Sequence, residues 1–149
     1  LCFENLSIVR DMVDSFGSQS IVVSVDVKRT FWGERRLYCS STNRIMKGQA
    51  IESHLTELME AGVGEIILGS VDKDGTLSGP DIELITSAAR NLDVPLVALG
   101  GVSSLSDMKS VVNAGASAVS AGAFFIFHGK RRAVLITYPN YEELEKLFK

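Results

Sequence analysis

The sequence predicts a mixed α/β fold in which short apolar strands, paired in parallel, alternate with helices. An apolar run over 65–71, EIILGSV, leads into the polar, glycine-rich segment DKDGTLSG and then into a helical pattern. The same order recurs twice, at the apolar segments 94–99 and 118–121, each of which ends in small residues. Since ligands of α/β proteins gather at the carboxyl ends of parallel strands, these three loops are the predicted site.

Small residues at all three strand ends predict a phosphate site made of backbone N–H groups. The residues concerned are Asp74-Gly75, Gly100-Gly101 and Gly122-Ala123. Backbone N–H groups that converge in glycine-rich loops bind anions without steric hindrance from side chains. The alternative interpretation is that these glycines only form tight turns between strand and helix.

Composition limits the possible classes of function. The chain has 149 residues and 46% hydrophobic content, which predicts a single folded domain over 1–149. No apolar run is long enough to span a membrane, and no secretory signal is recognised, so cytoplasm is the expected location. A net charge of −3 without a basic stripe argues against a nucleic-acid partner. Two cysteines, Cys2 and Cys39, suggest neither a disulfide framework nor a metal site.

The elements follow in order along the chain. Apolar residues at helical spacing predict helices over 5–16, 49–61, 81–91 and 105–114. The first strand, 20–25, ends at Asp26. A carboxylate at the end of an apolar strand is costly unless it is solvated, paired or functional. Asp26 is therefore either a candidate functional residue or a turn residue.

The segment 27–44 is basic and long for a connection between strand and helix. Phe31-Trp32-Gly33 predicts a turn between two short strands within it. The segment is interpreted either as a functional loop or as a solvated basic hairpin. His54, on the helix that follows, is interpreted as a surface residue.

The four predicted parallel strands form either a small open sheet or half of an eight-stranded barrel. In both cases the first and last strands would each have an unpaired edge, which favours association. We therefore expect these edges to pair with a missing half or with a second copy of the chain.

Four motifs resemble the second half of the cyclase subunit of imidazole glycerol phosphate synthase, the HisF family. They are FGSQSIVVSVDVKR, VDKDGTLSG, PLVALGGV and AGASAVSAGAFF, in the family's order and spacing between about residues 5 and 127. The resemblance implies a TIM (βα)₈ barrel of the ribulose-phosphate-binding type, built from two half-barrels. The chain would be the (βα)₄ half that contains strands five to eight.

The resemblance also implies roles for individual residues. Asp26 would be a catalytic acid and base, and Glu65 would belong to an ammonia gate at the opposite mouth of the barrel. The remaining matched residues would bind the substrate or its phosphate: Lys28, Asp74, Gly75, Gly100, Gly101, Gly122 and Ala123. No cofactor is implied.

The implied activity is that of a lyase and cyclase of histidine biosynthesis. Ammonia from a glutamine amidotransferase partner of the HisH type would be used to form imidazole glycerol phosphate and aminoimidazole carboxamide ribonucleotide from a phosphorylated small molecule. The related sugar-phosphate isomerase of the same pathway is an alternative, but the match at Lys28 favours the cyclase. A flavodoxin-like binding domain would leave the strand edges unexplained.

Three departures from the family pattern stand beside the resemblance, and the last of them, the tail, indicates a second role. Leu99 replaces a small residue, the segment 39–47 lacks the usual glycine, and the tail FFIFHGKRRAVLITYP differs from the histidine-pathway ending. The tail resembles a paralogous branch associated with sugar amidination in lipopolysaccharide or O-antigen biosynthesis. In that branch the barrel would mainly transfer ammonia and would carry out little chemistry of its own.

Overall fold

A computed structural model describes residues 5–129 and 131–149 of the chain. Its main feature is a six-stranded sheet with the strand order β3-β2-β1-β4-β5-β6. The strands of this sheet are β1 (Val22–Arg29), β2 (Arg35–Cys39), β3 (Arg44–Ile45), β4 (Glu65–Ser70), β5 (Leu96–Leu99) and β6 (Ala118–Ser120). A separate two-stranded pair consists of β7 (Phe127–His128) and β8 (Ala133–Val134).

The α-helices lie between and after these strands. They are α1 (Leu6–Phe16), α2 (Ile51–Glu60), α3 (Ile82–Ala89), α4 (Leu105–Asn113), α5 (Gly122–Ile126) and α6 (Tyr141–Phe148). A 3₁₀ turn, Ser18–Ser20, connects α1 to the sheet. Among the described residues, no helix is long and apolar enough to cross a membrane.

Strands β1, β4, β5 and β6 run parallel to one another, which confirms the predicted mixed α/β fold with a mostly parallel sheet. Residues alternate between the two faces of each strand. On β1, Val23, Val25 and Val27 are buried and share one apolar core with Leu55 and Leu58 of α2. The same core contains buried residues of α3 and α4, so these helices cover this face of the sheet.

The opposite face of the parallel strands is not packed against a helix core in the described ranges. Val22 is 49% exposed and Ser24 is exposed, although both belong to a central strand of the sheet. All-parallel sheets are normally covered on both faces. The open face therefore distinguishes this sheet from a doubly wound one.

The edge of the first parallel strand differs from our expectation. We expected this edge to be bare, but β2 pairs antiparallel with the second half of β1, from Asp26–Tyr38 to Arg29–Arg35. The strand continues beyond Asp26 because the basic segment folds back as a hairpin through the predicted turn at 31–33. The outer edge of β6 is unpaired among the described strands, as expected.

The hairpin is held to the body of the protein by a buried carboxylate. Asp81 is the N-cap of α3, and its side chain accepts from the N–H of Leu84. Arg29 Nη2 lies 3.0 Å from Asp81 Oδ2, and Arg35 Nη2 lies 2.7 Å from Oδ1. The segment is therefore more than a solvated basic hairpin, because two of its arginines are ion-paired to the buried Asp81.

His54 is buried, contrary to the interpretation of it as a surface residue. Its side chain is 1% exposed, and its Nδ1 lies 3.8 Å from Glu57 Oε2. Burial lowers the pKa of His54 and so favours the neutral ring. Its position in the sequence fits the buried stripe of α2, together with Ile51, Leu55 and Leu58.

We expect Asp81→Asn to lower the free energy of unfolding by about 2–4 kcal/mol, because it removes the buried partner of two arginines. Glu83→Gln is the matched control, since Glu83 also pairs with Arg35 but is 83% exposed. Glu83→Gln should lower the free energy of unfolding by less than about 1 kcal/mol. Urea unfolding measures both values, and equal losses in the two variants would contradict the assignment.

The contribution of Asp81 also predicts a pH dependence. Burial alone would raise its pKa, but hydrogen bonds from Arg35, Arg29 and the Leu84 N–H outweigh burial and hold the pKa below its usual value. As the pH falls, Asp81 therefore takes up a proton at a higher pH in the unfolded chain than in the folded protein. The difference in the free energy of unfolding between wild type and Asp81→Asn should have its full value above about pH 5. It should shrink as the pH falls below about 4.

Candidate functional site

The carboxyl ends of the four parallel strands bring one residue from each strand into a row on the open face. Asp26 pairs in register with Gly69, Gly69 with Leu99, and Leu99 with Ser120. The row is therefore Asp26–Gly69–Leu99–Ser120. It lies directly before the loops that carry most of the predicted site residues.

Asp26 lines a cavity of about 210 Å³ at one end of this row. Ser40, just after β2, donates a hydrogen bond to Asp26 Oδ2. A Cβ added at Gly69 would lie 2.7 Å from Asp26 Oδ1, so the carboxylate occupies the space that a side chain would need. The lining consists of Asp26, Ser40, Gly69, Ser70, Val71, Asp74 and Leu99. This arrangement presents a carboxylate in an accessible cavity with both polar and apolar lining residues.

The three glycine-containing loops meet at the other end of the row. They enclose a much smaller space, of about 10 Å³, which is lined by Asp74, Gly75, Leu77, Gly100, Gly101, Val102, Ser120, Ala121, Gly122 and Ala123. Six of the predicted binding residues are thus brought together: Asp74, Gly75, Gly100, Gly101, Gly122 and Ala123. Asp74 lines both spaces, so the two are adjacent.

Gly101 is the position where the loops approach most closely. Its φ is +87°, and an added Cβ would lie 2.3 Å from the carbonyl oxygen of Gly79. The N–H of Gly79 in turn donates to the carbonyl of Gly101 over 2.9 Å. A side chain at Gly101 would therefore separate the loop after β4 from the loop after β5.

Lys28 shares the open face with Asp26 but lines neither cavity. Its Nζ lies 4.8 Å from the centre of the Tyr38 ring on β2, a cation–π contact. The structure thus places the Lys28 ammonium beside the hairpin, whereas the predicted phosphate-binding residues of the glycine loops lie further along the row.

Glu65 lies at the opposite end of the sheet. It pairs in register with Val22 at the start of β1, four residues before Gly69. At about 3.3 Å per residue, Glu65 is roughly 13 Å from the row that contains Asp26. Glu65 and Asp26 therefore lie toward opposite ends of the parallel strands.

Sequence reasoning missed two residues that shape the Asp26 cavity, Ser40 and Gly69. Ser40 reaches Asp26 only through the hairpin, but an alternation argument applied to 64–71 could have singled out Gly69.

Next to Ser40, hydrogen bonds from Ser41 and Thr42 lower the pKa of Cys39 to about 7. No group of acidic, histidine or cysteine side chains in the described ranges could hold a metal ion.

Comparisons with known proteins agree on one family. A family model described as "Histidine biosynthesis protein" matches residues 1–131. The chain is 44% identical over 142 residues to the "Putative imidazole glycerol phosphate synthase subunit hisF2" of Pseudomonas aeruginosa, covering 95% of the chain and 56% of that protein. It is 39% identical over 149 residues to the corresponding HisF of Leptospira interrogans, covering 99% of the chain and 59% of the relative.

A third relative carries the subunit name without the word "putative". The imidazole glycerol phosphate synthase subunit HisF of Dictyoglomus thermophilum is 36% identical over 124 residues, which covers 83% of the chain and 49% of the relative. The chain thus spans about half the length of the curated relatives that it matches. With a family model over most of its residues and these relatives, the chain belongs to the histidine biosynthesis protein family and is similar to its HisF members.

Proposed function

We propose that residues 1–149 form a single domain, the C-terminal (βα)₄ half of a HisF-like (βα)₈ barrel. Two observations support this. Among the described residues, the helix-packed core lies on one face of the four parallel strands, and the chain matches only 56% and 59% of the length of two relatives. In a (βα)₈ barrel the inner face of each strand is covered by the other strands across the axis, and the helices lie outside. The missing half, or a second copy of the chain, would cover the open face.

The function that the geometry supports best is a carbon–nitrogen lyase and cyclase of the imidazole glycerol phosphate synthase type. The observation that carries this proposal is the single row that connects the Asp26 cavity to the glycine loops. Cyclisation next to an anionic substrate requires proton transfer, and a positioned carboxylate can supply it. Asp26 is the proposed acid and base, and Ser40 holds one of its oxygens through a hydrogen bond.

The substrate phosphate is proposed to bind at the glycine loops. Loop N–H groups at Gly100, Gly101, Gly122 and Ala123 are its donors, with Asp74 and Gly75 at the rim. The present space of about 10 Å³ holds no more than about one water molecule, so the loops must separate to admit a phosphate. Leu77, which lies in the left-handed region at φ 57°, belongs to the loop that would move.

Glu65 is proposed to contribute to an ammonia gate. Its position at the amino end of β4, away from Asp26, supports entry of ammonia from the opposite mouth. Ammonia would come from a HisH-like glutamine amidotransferase that docks at that end. No cofactor takes part in the proposed reaction.

A second candidate is ammonia transfer in sugar amidination, and the tail favours it. The family model ends at residue 131, and the D. thermophilum relative aligns over 124 residues. The relatives from P. aeruginosa and L. interrogans match 95% and 99% of the chain, against 83% for the D. thermophilum relative. The more extensive match to these two relatives supports a separate branch.

We expect Asp26→Asn to lower ammonia-dependent turnover of the formimino-imidazole ribonucleotide precursor by about 10²–10⁴-fold, because the amide cannot accept a proton. Steady-state kinetics of the intact protein with supplied ammonia measures this. Asp14→Asn, an exposed carboxylate on α1, is the control and should leave turnover unchanged.

The kinetic result also separates the two candidate functions. Unchanged turnover in Asp26→Asn would overturn the proposed role of Asp26. A folded wild-type protein that binds phosphate but does not turn over the precursor would favour ammonia transfer.

Phosphate should stabilise the fold by mass action, by roughly 1.4 kcal/mol at a phosphate concentration ten times its Kd. We expect Gly101→Ala to abolish this effect, because its Cβ would meet the Gly79 carbonyl. Gly48→Ala is a matched control, since Gly48 has nearly the same φ of +86° but has nothing within 4 Å of the added Cβ.

Thermal unfolding with and without phosphate measures the effect, and sulfate-free buffer avoids competition. Both variants place alanine at positive φ and should lose about 1 kcal/mol of intrinsic stability from this strain. Only Gly101→Ala should also lose the response to phosphate. A wild-type melting curve that phosphate leaves unmoved would refute the phosphate site.

A further inference from the structure

The space at the glycine loops has a negative charge at its rim. Among the lining residues that the structure describes, Asp74 alone carries a charged side chain. A phosphomonoester has a charge of about −1.5 to −2 at pH 7, so the Asp74 carboxylate opposes its binding. Backbone N–H groups supply only partial positive charges. A cation next to the rim would offset the repulsion.

Arg132, in the tail, brings a guanidinium to this rim. Its Nη2 donates a hydrogen bond to the carbonyl oxygen of Gly75, which lines the space next to Asp74. Arg132 Cζ also lies 5.3 Å from the centre of the Phe127 ring, a cation–π contact within the tail. The tail therefore contributes a cation beside a site whose other proposed residues belong to the strand–helix units.

The backbone of Arg132 has a conformation that favours glycine. Its φ is +49°, and its N–H donates to the Gly129 carbonyl over 3.0 Å in the turn between β7 and β8. Glycine adopts this left-handed conformation without strain, whereas an arginine does not. A strained residue of this kind is often found where its side chain has a function.

Two other cations of the region already have contacts of their own. Lys28 lies over the Tyr38 ring on the hairpin, away from the glycine loops. Lys73, in the loop after β4, has its Nζ 3.3 Å from Ser78 Oγ and 3.5 Å from the Ser78 carbonyl oxygen.

The contact with Gly75 leaves Arg132 able to bind an anion. A guanidinium carries several N–H donors, and the bond to Gly75 occupies one of them. The side chain is exposed and long, so it can turn as the loops separate. A hydrogen bond from a guanidinium to a phosphate is stronger than one to a neutral carbonyl, because both partners are charged. Phosphate is therefore the better partner for Arg132.

We propose that Arg132 is a phosphate-binding residue of the glycine-loop site. Its guanidinium leaves the Gly75 carbonyl and pairs with the phosphate when the loops separate to admit a phosphomonoester. The inference rests on the proposed phosphate site, adds a residue of the tail to it, and does not choose between the two candidate functions.

The test measures the Kd of the intact protein for inorganic phosphate by isothermal titration calorimetry. Arg132→Gln keeps an N–H donor for Gly75 but loses the charge, and it should raise the Kd about tenfold or more. Arg132→Lys keeps the charge without the planar fork, so its Kd should lie between those of wild type and Arg132→Gln. Thermal unfolding without phosphate verifies that each variant is folded.

Arg131→Gln is the matched control. It removes the same charge one residue earlier, from an exposed side chain that does not line the glycine-loop space. Since exposed charges that do not touch the ligand are screened by salt, its Kd should stay within about twofold of the wild-type value at 0.15 M ionic strength.

Each outcome either supports or overturns the role of Arg132. Equal Kd values for wild type and Arg132→Gln would overturn it and leave the phosphate site intact. Equal losses in Arg132→Gln and Arg131→Gln would reduce the effect to net charge and would also overturn it. Equal losses in Arg132→Gln and Arg132→Lys would assign Arg132 a structural role at Gly75 instead. If wild type does not bind phosphate, the phosphate site itself is refuted, and the inference fails with it.

Discussion

A buried carboxylate, Asp81, connects the parts of the molecule on which the candidate site depends. It is the N-cap of α3, and it forms ion pairs with Arg29 at the end of β1 and with Arg35 at the start of β2. The N–H of Arg29 also donates to Asp72 Oδ2, in the loop after β4, over 2.6 Å. These contacts hold the start of the hairpin against the loop after β4. At the other end of β2, the pairing of Tyr38 with Asp26 brings Ser40 within hydrogen-bond reach of the Asp26 carboxylate.

The parallel strands and most helices could be predicted from the sequence, because their apolar spacing is a local property. The glycine loops were also predictable, since the strand ends must meet at one edge of a parallel sheet. The hairpin contacts were not predictable in this way. Ser40 reaches Asp26 across fourteen positions of the chain, and the partner of Arg35 lies forty-six positions away.

His54 illustrates a different limit of sequence reasoning. Its position on α2 satisfies the helical spacing of buried residues, but histidine is a polar residue type, and residue type dominated the interpretation. Gly69 shows the converse. A glycine inside an apolar strand has no side chain to pack, yet the structure gives it a steric reason, since the Asp26 carboxylate fills the space beside it. In both cases the deciding information was which face of an element a residue occupies.

The row on the open face has a consequence for how such a site can change during evolution. Each of its four members comes from a separate strand, and the residue that precedes each member belongs to the helix-covered core or packs against it. Ala98, next to Leu99, is 4% exposed and belongs to that core. Exchange of a row residue therefore leaves the packing of the helices largely undisturbed. Along these short strands, residues that face the proposed site alternate with residues that stabilise the core. Substitutions at the row can therefore change the proposed site with little effect on the stability of the fold.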